Sequence, residues 1–348
     1  MIIDLLIDIW NLKYKDMRWI GLFALLISSS VTFGQLKNLV LEGGGVRGIA
    51  YVGAIKALEE YSQMDEIENV AGTSAGAITA SLIAVGYNAA ELEEILSNLN
   101  LRKFNDGKAI FIGGTNRILK RYGWYQGEKM TEWVDDLMEE KTGIDNLTLG
   151  QLYLLGKDDS KYKNLFVTAT NLTQQNWQIL SYKSHPNLRI ADAVRISSSI
   201  PMYFAAVFMD ADGNVYEQPQ QDIPTDVMAD GGFISNYPLH IFDSTYAIPQ
   251  TLGMQLDRKA QIDSDSASTL APYPIENLQD YIGAFYNLVL ENLNRTELTD
   301  EDWKRTISIN NCGISQRVRK MPKEEVDQLI QAGYEATKDW LKLSSFSK

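Results

Sequence analysis

The sequence predicts an α/β protein whose mostly parallel central sheet is flanked by helices on both faces and carries a helical insertion. Three observations support this fold class. Apolar runs typical of strands alternate with helical periodicity from residue 38 onward. Both glycine-rich turns of the chain follow a strand candidate and precede a helix candidate, which places them at the carboxyl ends of strands. Such alternation favours a parallel sheet that is covered on both faces.

The first predicted elements form a strand–helix–strand–helix series. Residues 38–42 (NLVLE) and 67–73 (IENVAGT) are apolar runs of strand length. Residues 47–61 lie between them and carry apolar side chains at helical spacing. The second helix is predicted from one buried face, which comprises Ala75, Ile78, Leu82 and Val85.

The later elements are predicted from the same two periodicities. Further strand candidates are residues 164–172, 177–182, 251–257 and 305–309, and the first two of them are expected to pair. Residues 275–296 and 322–343 have helical spacing, and residues 86–160 are expected to form a mostly helical insertion. The acidic segment 210–226, rich in Pro and Gln, is predicted to be a surface loop.

The N-terminal 34 residues are typical of a targeting segment. Residues 19–36 carry no charge and follow Arg18, and small residues lie near Gly34. A cleaved signal peptide, starting at Met1 or Met17, would export the protein to a periplasm or beyond the cell, whereas an uncleaved stretch would be a membrane anchor or a buried helix. Residues 37–348 are then one domain, with a helical C-terminal region over 260–348.

Composition excludes several classes of protein. The 348 residues are 45% hydrophobic and 22% charged, which is typical of a globular chain. The formal net charge of −13 and the lack of a Lys/Arg cluster of the kind that binds nucleic acid argue against a nucleic-acid partner. One cysteine, Cys312, and two distant histidines, His185 and His240, predict neither a disulfide nor a metal site. Oligomeric state has no signature in the sequence.

Two glycine-rich turns indicate which chemistry the chain could perform. The first, GGGVRG at 43–48, contains the pattern G-x-G-x-x-G, which can hold a phosphate or another negative group on backbone N–H groups. The second, GTSAG at 72–76, places Ser74 between a strand and a helix, as a nucleophilic serine requires. Gly72 and Gly76 leave room for the sharp turn that exposes the hydroxyl.

A serine nucleophile needs a base, and the chain has few histidines to offer. His185 lies in a polar segment (KSHPN), and His240 (NYPLHIF) is expected at the surface or half-buried. Asp230 follows an apolar run and precedes Gly231 and Gly232, so that the backbone there can pass close to another loop. A plain Asp-Gly turn would have the same sequence.

The three segments together resemble the patatin-like phospholipase family. GGGVRG, GTSAG and DGG occur in the order and at the spacing of that family, and the segments at 169–173 (ATNLT), 191–204 (ADAVRISSSIPMYF) and 230–239 (DGGFISNYPL) agree as well. The resemblance covers residues 38–240. It implies a lipid acyl hydrolase of phospholipase A type, with a lipid or other ester as substrate, transient contact with a membrane surface and no cofactor or metal.

The resemblance implies roles for named residues. Ser74 would be the nucleophile and Asp230 its general base, without histidine, through an acyl-enzyme. Backbone N–H groups of Gly43, Gly44 and Gly45 would form the oxyanion hole. Motif residues that would support these groups are Arg47, Gly48, Gly72, Gly76, Gly231 and Gly232, of which Arg47 would either hold its loop or touch the substrate.

Other functions are compatible with these residues. A serine hydrolase could use His240 as its base. A dinucleotide-binding protein would need an acidic residue at the tip of the second strand, where the chain has Thr73 and Ser74 instead. A catalytically silent lipid-binding or interaction protein could retain the whole fold. Ser197, Ser198 and Ser199 are expected to serve packing, and residues 200–208 could line an acyl pocket or the core.

Overall fold

The computed structural model describes residues 35–107, 110–264, 270–276, 281, 284, 288, 298–315 and 318–343. The predicted targeting segment 1–34 and most of the helix predicted over 275–296 lie outside the described residues. The first predicted strand–helix–strand–helix series is confirmed, with the helix over 47–61 divided into a 3-10 turn over Gly45–Ile49 and an α-helix that follows it. Residues 164–172 and 177–182 form the expected antiparallel pair.

Eleven strands are present in the described part of the chain. They are β1 (Asn38–Leu41), β2 (Asn69–Gly72), β3 (Gly123–Tyr125), β4 (Asn164–Asn171), β5 (Asn176–Ser181), β6 (Met202–Phe204), β7 (Val207–Met209), β8 (Val215–Tyr216), β9 (Asp226–Asp230), β10 (Thr251–Asp257) and β11 (Thr306–Asn310). Nine of them form the central sheet, whereas β3 and β6 pair separately. The strands β3 and β6–β8 have only two or three residues each, which is too short for a recognisable periodicity in the sequence.

The α-helices follow the same chain order. They are α1 (Ala50–Glu60), α2 (Ala75–Ala84), α3 (Ala89–Ser97), α4 (Ile110–Arg121), α5 (Glu128–Thr142), α6 (Leu149–Asp158), α7 (Ile190–Ser197), α8 (Gly232–Ser235), α9 (Lys259–Ile262), α10 (Asp300–Lys304) and α11 (Lys323–Leu343). Helices α3–α6 make up the insertion predicted over 86–160, which also contains strand β3. Within the described residues, no helix is both long enough and apolar enough to cross a bilayer.

The central sheet is mixed, with a parallel half and an antiparallel half. Its strand order is β11-β10-β1-β2-β4-β9-β7-β8, and β5 pairs with β4 outside this path. The five strands from β11 to β4 are parallel to one another. The remaining pairs are antiparallel. The α/β class is therefore confirmed, and the parallel region is the half of the sheet that carries both glycine-rich turns.

Strands β2 and β9 meet end to end on one edge of β4. The partner of Gly72 is Val167, and the partner of Asp230 is Ala169, two residues further along β4. Because β5 occupies the other edge of β4 over the same stretch, β2 and β9 must share this one. The two strands run in opposite directions, so their carboxyl ends converge opposite Thr168.

The sheet is buried on both faces. Leu39 and Leu41 of β1 belong to the large core cluster that includes helices α1 and α2, whereas Val40 belongs to a smaller cluster around Phe242 on the opposite face. Helix α11 seals the large core by lying directly on α1. A Cβ on Gly53 would lie 1.8 Å from the carbonyl oxygen of Ile330, so the contact requires glycine at this position.

Candidate active site

Ser74 occupies the turn between β2 and α2 in a strained backbone conformation. Its φ of 51° and ψ of −116° lie outside the regions that L residues normally adopt, at a cost of about 1–3 kcal/mol. Glycines make the turn possible: a Cβ on Gly76 would lie 2.3 Å from the carbonyl oxygen of Leu41, and one on Gly72 would lie 2.3 Å from that of Gly76. The half-buried Ser74 is thereby held at the end of the parallel sheet.

Asp230 ends β9 and is buried, with 5% of its surface exposed. The N–H of Gly232 donates to its Oδ1 at 2.8 Å, and its own N–H donates to the carbonyl of Ser199 at 3.0 Å. Burial raises the pKa of the Asp230 carboxyl to about 7, against the opposing effects of hydrogen bonds from Gly232 and Ser74. A Cβ on Gly231 would lie 2.4 Å from Oγ1 of Thr168, which fixes the close approach of this turn to β4.

The Ser74 hydroxyl lies close enough to the Asp230 carboxylate to lower the pKa of that carboxyl by hydrogen bonding. This contact follows from the convergence of β2 and β9 on β4. The neighbouring Thr73 is anchored at the same point, because its Oγ1 lies 2.6 Å from Oγ1 of Thr168. A hydroxyl that is paired with a poorly solvated carboxylate, with a pKa near neutrality, is suited to direct proton transfer.

The glycine-rich loop presents backbone N–H groups at the start of the 3-10 turn. The N–H of Gly43 is engaged within the protein, because it donates to the carbonyl of Asn236 at 3.1 Å. The N–H groups of Gly44, Gly45 and Val46 have no recorded acceptor among the described residues, as is usual for the first turn of a helix. Gly45 adopts a left-handed φ of 57° and lines the same cavity as Ser74.

The remaining motif residues hold the loop in place. Arg47 donates from Nε to the carbonyl of Gly44 at 3.3 Å, a contact within the loop itself. Gly48 lies against Ala75, where a Cβ would come within 3.0 Å of that of Ala75. Asn236, which the sequence did not single out, donates to Glu42 and to the Gly43 carbonyl and so ties the loop to the segment after Asp230.

The three serines at 197–199 differ in their contacts and are not only packing residues. Ser74 donates its backbone N–H to Oγ of the fully buried Ser197 at 2.9 Å, so Ser197 holds the strained turn. Ser199 donates to the carbonyl of Arg195 at 2.6 Å. Ser198 lines the cavity, and its buried Oγ has no hydrogen-bond partner among the described residues. The sequence offered no signal for these separate roles.

A mainly apolar cavity of about 80 Å³ adjoins Ser74. Ile78 of α2, Ile200 and Phe204 line it, so part of the segment 200–208 does border a pocket. The insertion contributes Leu96, Leu99, Leu101, Phe104 and Met130, and the C-terminal region contributes Val318, Arg319 and Met321. These two regions carry no recognisable motif, which explains why the sequence did not identify them as parts of the site.

The two histidines have other surroundings in the structure. His240 lies 2.8 Å from Asp243 through Nδ1 and 3.7 Å from Asp302 through Nε2. The buried guanidinium of Arg305 forms ion pairs of 2.6 Å with both of these carboxylates. His240 therefore belongs to an ion cluster whose recorded contacts do not include Ser74. His185 is half-buried, and burial lowers the pKa of its imidazole.

Comparisons with known proteins agree with this geometry. The family model for patatin-like phospholipases matches residues 39–243. The protein R571 of Acanthamoeba polyphaga mimivirus is 26% identical over 88% of this chain and 94% of its own length. A probable lipid hydrolase, 463L of Invertebrate iridescent virus 6, is 26% identical over 59% of this chain and 62% of its own length, so the chain spans less than two thirds of that relative.

The fold has counterparts among solved structures. VipD from Legionella pneumophila matches 89% of this chain and 67% of its own chain at 20% sequence identity, with a TM-score of 0.58. This likeness shows the α/β fold, and the family model shows the membership. The chain therefore belongs to the patatin-like phospholipase family.

Proposed function

We propose that this protein is a lipid acyl hydrolase that cleaves carboxylic esters through a Ser74–Asp230 dyad and an acyl-enzyme. One observation carries the proposal: a serine on a strained strand–helix turn lies within interaction distance of a buried carboxylate and lines an apolar cavity. Family membership and the probable lipid hydrolase among the relatives support the class of substrate.

In the first half-reaction, Oγ of Ser74 attacks the ester carbonyl carbon as its proton passes to the carboxylate of Asp230. The C–O π bond opens and its electron pair moves to the carbonyl oxygen, which becomes an oxyanion. The tetrahedral intermediate then collapses: the bond to the leaving oxygen breaks, and that oxygen takes the proton from Asp230. The products are an alcohol and an ester of Ser74. A pKa near 7 suits Asp230 to both proton transfers.

In the second half-reaction, water attacks the acyl-enzyme. Asp230 accepts one proton from the water, and a second tetrahedral oxyanion forms. Its collapse breaks the bond to Oγ of Ser74, which recovers a proton from Asp230 as the carboxylic acid leaves. The burial of Asp230 favours this exchange because a poorly solvated carboxylate is a stronger base than one in water.

The N–H groups of Gly44, Gly45 and Val46 are the donors that we assign to the oxyanion. They lie at the start of a helical turn and have no recorded protein acceptor among the described residues. Each such donor is typically worth about 2.7–4 kcal/mol in the transition state. The Gly43 N–H is not included, because it is bonded to Asn236.

The acyl chain of the substrate is assigned to the cavity beside Ser74. Its walls are mostly aliphatic and aromatic side chains, which favour the burial of hydrocarbon by about 25 cal/mol per Å². Under this assignment the insertion and the C-terminal region both contact the acyl chain, since both of them supply walls of the cavity.

Matched substitutions test the dyad. Ser74→Ala and Asp230→Asn should each reduce fatty-acid release from mixed micelles of detergent and phosphatidylcholine by at least about 10³-fold, because the dyad acts as a unit. Ser62→Ala is the control for Ser74, since the exposed Ser62 also has a left-handed φ of 54°. Asp226→Asn, on the same strand as Asp230, is the control for the loss of a carboxylate.

Each outcome of this experiment discriminates between functions. Loss of hydrolysis in both dyad variants with activity retained in both controls supports the proposal. Full activity in either dyad variant would exclude the dyad. A wild-type protein that binds lipid and releases no fatty acid would instead support the silent lipid-binding alternative.

A further inference from the structure

The mouth of the cavity is bordered by two basic segments in an otherwise acidic protein. Residues 99–105 and 318–323, here called the basic rim, contain five basic side chains and no acidic one. The backbone bridge between Asn100 and Lys320 holds the two segments together. The whole chain has a formal charge of −13, so the rim differs in sign from the average surface.

Three of the five basic side chains of the rim are exposed and have no recorded ion pair among the described residues. Arg102, Lys103 and Lys320 are exposed, and no ion pair to any of them is recorded within the described ranges. Arg319 pairs with Glu325, and Lys323 pairs with Asp327 at 2.8 Å. Three positive charges therefore face solvent beside the cavity, where Leu99, Leu101 and Val318 of the same segments form its wall.

An exposed apolar side chain stands next to the rim. Met202 is 75% exposed and lies between Ile200 and Phe204, which both line the cavity. Its φ of 66° is strained for a methionine, and such strain is common at functional positions. The adjacent Tyr203 bonds to Asn105 of the rim at 2.9 Å, so Met202 and the rim belong to one continuous surface.

We infer that this surface docks the protein on the anionic headgroups of a lipid bilayer, with Met202 entering the interface. The inference rests on the proposed function: a lipid acyl hydrolase needs its ester substrate to pass from the bilayer into the cavity, and the docking surface supplies that route. Charge complementarity supports this occupant. At physiological salt the Debye length is about 8 Å, so the rim governs contact with anionic lipid while more distant acidic residues are screened.

Vesicle binding by the Ser74→Ala variant tests the inference without degrading the lipid. We expect this variant to sediment with vesicles of phosphatidylcholine and phosphatidylglycerol (7:3), and to bind pure phosphatidylcholine vesicles at least about tenfold more weakly. Adding Lys103→Glu and Lys320→Glu should lower binding to the mixed vesicles by at least about tenfold. The matched control adds Lys157→Glu and Lys183→Glu, which change the same charge at exposed positions outside the rim.

Activity on a soluble ester separates this inference from the proposed function. In the protein with Ser74 intact, Lys103→Glu with Lys320→Glu should leave hydrolysis of p-nitrophenyl acetate unchanged, because neither side chain lines the cavity. The same pair should slow fatty-acid release from mixed vesicles by about tenfold. Equal binding of rim and control variants, or equal binding to both vesicle types, would overturn the inference. If the wild type hydrolyses no ester, the proposed function fails and the sedimentation results still decide the docking surface.

Discussion

Ser74 and Asp230 leave the carboxyl ends of two strands that converge on Thr168 of β4. Their contact is therefore fixed by backbone pairing in the sheet and does not depend on a mobile loop. Ser74 also donates its N–H to Ser197, and Asp230 accepts from Gly232. Both residues are thus held in place by backbone hydrogen bonds, as the proposed proton transfer between them requires.

The first prediction concerns the pH dependence of catalysis. Asp230 must be ionised to accept the proton of Ser74, and burial raises its pKa to about 7. We expect kcat/KM for p-nitrophenyl butyrate to rise with pH, with a midpoint near 7, and to level off above about pH 8. Enzyme-independent hydrolysis of the ester is subtracted at each pH. A rate that stays constant between pH 5.5 and 8.5 would contradict the role of Asp230 as base.

The second prediction concerns stability. Folding raises the pKa of Asp230 above that of the unfolded chain, so the native state binds more protons between about pH 4 and 7. Stability is therefore lost as pH rises through this window. Asn does not ionise, so the Asp230→Asn variant does not lose stability in this way as pH rises. Its Tm should exceed that of the wild type by more at pH 8.5 than at pH 5. Calorimetry at both pH values measures this, with Asp226→Asn as the control variant.

A Tm difference for Asp230→Asn that is the same at both pH values would show that the carboxylate is not destabilising. The destabilisation itself is what the catalytic role requires, since a well-solvated carboxylate would be a weaker base. Stability and activity are thus expected to change in opposite directions at this position.

The sequence predicts the parallel half of the fold, and the positions of the two residues of the proposed dyad, better than it predicts the cavity walls contributed by the insertion and the C-terminal region. Strand–helix periodicity and two glycine-rich turns mark β1, β2 and the position of Ser74, because these features are local. The pairing of Ala169 with Asp230 is a contact between residues 61 positions apart, and no local pattern reveals it.

The cavity walls from the insertion and the C-terminal region, and the supporting hydrogen bonds, cannot be predicted from the sequence for a similar reason. Leu101 and Met321 are ordinary apolar residues in segments without motifs, and only tertiary packing brings them to one cavity. Ser197 is one of three consecutive serines that look equivalent in the sequence, although only its Oγ accepts the N–H of Ser74. The engagement of the Gly43 N–H by Asn236 likewise depends on a contact between distant loops.

The third prediction concerns Ser197 as a positioning residue. Ser197→Ala leaves the N–H of Ser74 without its acceptor, at a cost of about 1–3 kcal/mol. We expect kcat to fall about tenfold or more while KM and the pH midpoint stay unchanged, because the variant loosens the nucleophile and leaves Asp230 intact. Steady-state kinetics at several pH values measures all three. A shifted midpoint or a change confined to KM would argue against this role.

The fourth prediction concerns the cavity. Leu96 of α3 lines the cavity, and Leu96→Phe should narrow it. We expect kcat/KM for a p-nitrophenyl ester of a long acyl chain to fall about tenfold, because one or two methylenes of lost contact are worth about 1–3 kcal/mol. Hydrolysis of the acetate ester should not change. An equal loss on both esters would indicate general damage to the site instead of chain-length selection.

In the proposed reaction Ser74 forms the covalent intermediate, and active-site labelling can identify the residue that carries it. An alkyl fluorophosphonate should lose fluoride and form one bond to Oγ of Ser74, while Asp230 accepts the serine proton. Mass spectrometry of the intact and digested protein should find one adduct per chain, located on Ser74, strongly slowed in Asp230→Asn and absent in Ser74→Ala. An adduct on another residue, or none on Ser74 under conditions in which the wild type hydrolyses ester, would contradict the account.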